Sequence, residues 1–205
     1  PNDFLFFILG QVNEVWAGLG YYRRAKMLHE GAKVIQTKHG GKLPNTAKGL
    51  LTLPGIGPYT AGAVSSIAFG ECEPLVDGNV IRVLSRVRAI ASDPKKTALN
   101  NLCWNLAREL VDPDSPGNFN QALMELGATV CTVKSPSCES CPIEGMCAAR
   151  ALVRAGAGAG EGARAMRGGS VEGEGCICTV CELGEGGLVD IPSQVTDFPR
   201  KAVKM

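Results

Sequence analysis

From residue 14 to about 150, helical spacing of apolar positions alternates with turn signals, and no stretch carries the strict apolar–polar alternation of a strand. Glu30 to Lys38 reads as an amphipathic helix following Tyr21–Arg24, and Ala61 to Phe69 is small, apolar and suited to close helix packing. Val80, Val83, Leu84 and Val87 recur at helical spacing, leaving Arg82, Arg86 and Arg88 on other faces. Thr97 to Val111, preceded by the helix-stopping Asp93-Pro94, and Phe119 to Val130 predict two more helices. The pattern predicts an all-α core.

Both ends break it. Phe4 to Leu9 is an apolar run with neither the helix nor the strand period, and it is far shorter than the roughly 20 residues of a membrane span. It also lacks the basic start and cleavage site of a signal peptide, so the expectation is an intracellular protein without a membrane. Residues 151–190 hold eleven of the 26 glycines among alanines and glutamates, a composition too poor in apolar surface to fold alone. The expected division is an atypical segment 1–11, a helical core 12–150, a flexible connector 151–194, and the opening of another domain at 195–205. With 21 basic and 20 acidic residues the net charge is +1, so any nucleic-acid face must arise from local clustering.

Chemistry enters with glycine, aspartate and cysteine. Leu53-Pro54-Gly55-Ile56-Gly57 lies between two helical segments. Its glycines permit a tight hairpin whose amides, at a helix N-terminus, suit a DNA phosphate; an ordinary helix–helix turn is the plainer alternative. Asp77, in Val76-Asp77-Gly78-Asn79-Val80, stands at the entry of the next helix, where an N-cap is the commoner role. Nine cysteines in a reducing compartment read as ligands rather than disulfides. Cys131-x6-Cys138-x2-Cys141-x5-Cys147 can enclose one metal centre, zinc or iron–sulfur, although one close pair flanked by longer spacers is less typical of zinc. Cys176-x-Cys178-x2-Cys181 can hold zinc with a fourth ligand from elsewhere, or remain tail thiols.

Hairpin, aspartate and four-cysteine loop, in this order over roughly Val12 to Arg150, resemble the helix-hairpin-helix DNA glycosylases, and within them the endonuclease III and MutY branch. The resemblance implies a [4Fe–4S] cluster on Cys131, Cys138, Cys141 and Cys147, and a phosphate grip at Gly55, Ile56 and Gly57. It also implies that Asp77 faces a flipped nucleotide and stabilises the sugar cation formed as the base leaves. Bifunctional members carry a lysine shortly after the hairpin; Tyr59 stands here and cannot form a Schiff base. Tyr59 resembles the MutY type, in which it helps Asp77 and Asn79 manage the cation. Trp16-Ala17-Gly18-Leu19-Gly20-Tyr21-Tyr22 resembles that type too, implying Tyr22 as the wedge beside 8-oxoguanine, with Arg23 and Arg24 as phosphate contacts. Taken alone, the paired tyrosines read more simply as half-buried packing.

The implied activity is hydrolysis of the N-glycosidic bond of adenine opposite 8-oxoguanine or guanine in duplex DNA. The implied setting is the nucleus or mitochondrion, with a zinc-binding connector and repair or checkpoint-clamp proteins as further partners. The chain departs from the family at both ends. The family's second carboxylate, on a helix in a Glu-Val-Met-Leu-Gln-Gln-Thr type of context, has no counterpart before Val12, and Glu14 lies downstream of its place. Residues 1–11 fit translation through the 3′ end of an intron, and Asp197 to Lys201 resembles only the entrance of a Nudix-like domain. The expectation is a core cut at both ends and weakly active or inactive. A non-catalytic DNA-binding product, or less favourably an endonuclease III-like lyase, is the alternative.

Overall fold

The computed structural model describes residues 9–158, and among them there are helices and turns but no strand. The all-α expectation holds. The chain gathers into two compact units, the described parts of Pro1–Leu75 with Val111–Asn120, and of Val76–Leu110 with Gln121–Met205.

In the first unit α1 (Leu9–Val15) packs against α2 (Tyr22–His39), and α3 (Ala47–Leu50) against α4 (Pro58–Phe69). Gly40 closes α2 in the left-handed conformation, its amide bonding the Ile35 carbonyl. Thr46 caps α3 through its hydroxyl, and Glu71 reaches the Ala47 amide at 2.6 Å. Leu50, Leu53 and Ala61 form the buried core of this unit, with Val34, Ile35, Ile56 and Val64 packed on it. The hairpin is therefore anchored from inside by Leu53 and Ile56. A Cβ on Gly62 would enter the space held by the Pro74 carbonyl, so glycine lets the chain leaving α4 lie directly against that helix. Asn120, fully buried at the start of α7 (Pro116–Glu125), donates to the Ser66 hydroxyl and the Glu73 carbonyl at 2.9 Å each.

In the second unit α5 (Gly78–Val87) packs against α6 (Thr97–Leu110), a π-helical turn at Leu126–Val130, and α8 (Ala148–Gly158). Val80, Val83 and Leu84 supply the buried face of α5, and Leu99, Cys103 and Ala107 that of α6. Two expectations shift. The single helix read over Phe119 to Val130 is α-helical only to Glu125, then widens so that the Cys131 amide bonds Leu126. Helix also crosses the boundary drawn at Arg150, because Ala148, Ala149 and Ala151 favour it and Ala149 is buried. None of the described helices is long and apolar enough to cross a membrane.

Candidate active site and cysteine-lined pocket

The candidate residues divide between the units. Tyr22, Arg23, Arg24, the hairpin glycines and Tyr59 stand on the first; Asp77, Asn79 and the four-cysteine loop stand on the second. Cys176, Cys178 and Cys181 lie outside the described residues, as do residues 1–8 and 195–205.

The hairpin has the expected local form. Gly55 adopts φ 80, and a Cβ there would lie 2.7 Å from that of Met27, so glycine is required by both conformation and contact. Gly57 precedes Pro58, the first residue of α4, and no side chain caps that helix. Gly55 and Gly57 are exposed, so a helix N-terminus with its favourable dipole faces solvent. Tyr59, one residue into α4, is 42% exposed.

Trp16 Nε1 donates to the Gly20 carbonyl at 2.8 Å, closing a loop in which Gly18 and Gly20 have positive φ. Tyr21 follows at φ 51, a left-handed conformation costly for a bulky residue. It is 75% exposed against 48% for Tyr22, and the Arg24 guanidinium lies 4.9 Å from its ring centre. Tyr21 is thus the more projecting aromatic. Neither tyrosine is buried packing.

Asp77 caps α5: its Oδ1 accepts from the Val80 amide at 2.8 Å, while Oδ2 accepts from Asn79 Nδ2 at 2.9 Å. Asn79 Oδ1 in turn accepts from Arg82, whose Nε donates to the Cys131 carbonyl at 2.8 Å and which also bonds the Gly127 carbonyl. The π-helical turn makes this possible, for Gly127 sits so close that a Cβ would lie 2.7 Å from that of Asn79. Burial, then the neighbouring Arg86 guanidinium, press the Arg82 pKa down; Cys131 and Asp77 oppose this.

Arg86, placed by its spacing on a face other than that of Val80, Val83, Leu84 and Val87, is nevertheless buried. It is 2% exposed and donates to the carbonyls of Cys131, Thr132 and Val133 and, at 3.2 Å, to Cys131 Sγ. A charge buried in this way is paired with hydrogen bonds, so its place is set by the cysteine loop. The only signal in the sequence was the spacing of Arg82 and Arg86 four apart, which puts them on one face.

All four loop cysteines, with Val83, Val87, Leu126, Val130 and Ile143, line one pocket of about 380 Å³. None of the six described cysteines is disulfide-bonded. The Cys138 thiol is pushed up by burial first; Arg150 opposes this, and the other three loop cysteines add to it, as expected where four sulfurs surround one space. Among the described residues no three His, Cys, Asp or Glu side chains converge tightly enough to hold a single ion. Four cysteines lining one pocket are a donor set that fits a thiolate-bound cluster.

Residues 1–109 match the family model described as HhH-GPD superfamily base excision DNA repair protein. The chain is 48% identical over 204 residues to the adenine DNA glycosylase of Homo sapiens, covering 95% of this chain and 36% of that protein. It is 58% identical over 142 residues to that of Arabidopsis thaliana, covering 69% and 22%. It therefore spans about a third or less of these relatives. Among solved structures, a thermostable thymine-DNA glycosylase superposes with TM-score 0.64 at 30% identity, covering 73% of this chain and 69% of that one. A trapped endonuclease III–DNA covalent intermediate, 24% identical with TM-score 0.62 over 74% of this chain and 70% of the other, shares the fold. Hairpin, capped aspartate and cysteine loop thus stand in a chain that belongs to the HhH-GPD superfamily of base excision DNA repair proteins.

Proposed function

We propose that this chain carries the glycosylase core of an adenine-removing enzyme that hydrolyses the N-glycosidic bond of adenine opposite 8-oxoguanine or guanine. The observation that carries this reading is Tyr59 at the exposed start of α4, where a lyase needs an amine, together with Asp77 held by two hydrogen bonds. Identity of 48% and 58% to adenine DNA glycosylases supports the substrate class.

Hydrolysis breaks the bond from sugar C1′ to adenine N9: adenine, protonated at N7, leaves with the bonding electron pair, positive charge remains on the sugar ring, and water adds to C1′ and releases a proton. Asp77 is the group that stabilises this charge, and Asn79 and the Val80 amide keep its oxygens oriented. The exposed amides of the hairpin hold a backbone phosphate, with Arg23 and Arg24 adding charge. Tyr21, with Tyr22 beside it, enters the stack to hold the opposite strand open.

Cys131, Cys138, Cys141 and Cys147 hold a [4Fe–4S] cluster in the pocket they line. Its chemistry there is thiolate ligation that templates the loop. Arg82 and Arg86, bonded to the Cys131 carbonyl and sulfur, align α5 with that loop and thereby fix Asp77. The connector cysteines are proposed to take zinc.

The test is single-turnover excision on duplexes containing adenine opposite 8-oxoguanine, alongside thymine and uracil mispairs. Release of adenine alone supports the reading. Release of thymine or uracil instead, or borohydride trapping of a protein–DNA adduct, overturns it.

A further inference from the structure

The two short turns between Cys138 and Cys147 are tied to α8 by charge. Glu144, in the turn Glu144–Met146, receives Arg150 Nε at 3.1 Å and Arg154 at 2.6 Å, both from α8. Glu139, in the turn Cys138–Ser140, faces Arg150 at 4.0 Å. Glu144 and Arg150 also line the pocket with the four cysteines, and their side chains are 22% and 21% exposed. Arg86 holds the loop's first strand from the buried side through Cys131, Thr132 and Val133.

We propose that Glu144, Arg150 and Arg154 form a clasp that holds the outer half of the cysteine loop shut over the pocket, with Arg150 as its positioning residue. Four thiolates around a [4Fe–4S] core leave a net negative site, and Arg150, which lines the pocket as Arg86 does, supplies positive charge to it. Glu144 keeps Arg150 turned toward the loop, and Arg154 shares that carboxylate. Glu139 is almost wholly exposed, while Cys138 and Cys147 pack against the buried Ala149 of α8. Loosening the clasp therefore weakens the hold of α8 on the loop between Cys138 and Cys147. The partly exposed clasp is screened by salt more than buried Arg86 is.

This inference rests on the cluster proposed above, and the experiment separates the two. Whole chain purified without oxygen is assayed for iron, then mixed with an iron chelator while cluster absorbance is followed at low and high salt. Arg150→Gln and Glu144→Gln are expected to lose the cluster roughly two- to fivefold faster at low salt, and the unmodified chain to approach that rate at high salt. Arg150→Lys, which keeps the positive charge facing Glu144 and the thiolates, is expected to keep the loss slow. Loss rates equal in all variants and flat with salt would overturn the clasp while leaving the cluster in place. Should the variants fail to fold, the salt series on the unmodified chain decides alone, a flat response refuting the clasp. An iron-free chain would overturn the cluster reading itself.

Discussion

Asp77 caps α5 and, in the proposed function, stabilises the sugar cation, and substitution can separate the two. As N-cap it receives the Val80 amide at 2.8 Å; as carboxylate it presents charge, with Asn79 Nδ2 at 2.9 Å on its other oxygen. Asparagine is as good an N-cap as aspartate, so Asp77→Asn keeps the first role and removes the second. Asp77→Ala removes both and costs about 1 kcal/mol of stability, which for a chain of this size lowers the melting temperature by roughly 2–4 °C. The group facing developing charge is typically worth about 10²–10³ in rate. Both variants should therefore lose adenine excision by about a hundredfold or more, while only alanine lowers the melt. Thermal unfolding and single-turnover excision, run on the same preparations in the intact enzyme, read the two effects separately. If Asp77→Asn keeps excision within a few-fold of the parent, Asp77 is a helix cap and nothing more.

Other consequences follow from particular contacts. Gly127→Ala places a methyl 2.7 Å from the Asn79 Cβ, so it should destabilise the chain by about 1–3 kcal/mol in denaturant unfolding and lower excision with binding little changed. Iron analysis should find about four irons per chain, and Cys141→Ser should cost soluble protein before any other property; stoichiometric zinc without iron in an anaerobic preparation would contradict this. Borohydride should trap no adduct at an abasic site, whereas Tyr59→Lys in the intact enzyme should gain some trapping. Cys103 is fully buried and its thiol is pushed up to about 11, so the folded state binds a proton that the unfolded state releases near 9. Its contribution to stability is complete below about 9 and is lost as pH rises towards 11, checked by unfolding across that range; exposed Cys72 should react with a maleimide when Cys103 does not.

Local pattern determined much of this protein. Helix periodicity located α2, α5, α6 and α7 because one face of each must leave water, and that pressure is written at three- and four-residue spacing, whereas α4 was legible from its small apolar residues. Gly55 could be read from sequence because only glycine tolerates φ 80 beside Met27. The cysteine loop could be read because ligands must lie close along a short chain to surround one centre. What the sequence could not state is where a long charged side chain goes. Arg86 looks like any surface arginine of an amphipathic helix, and only the folding of the Cys131–Val133 strand over α5 supplies the carbonyls that let its charge be buried. Tyr21 and Tyr22 are likewise equal in sequence. The Trp16–Gly20 bond and the positive φ of Gly18, Gly20 and Tyr21 decide which ring projects, because together they fix the direction in which the chain enters α2. Residue type and spacing are local properties; burial of a charge and the aim of an aromatic depend on partners that only the tertiary fold brings within reach.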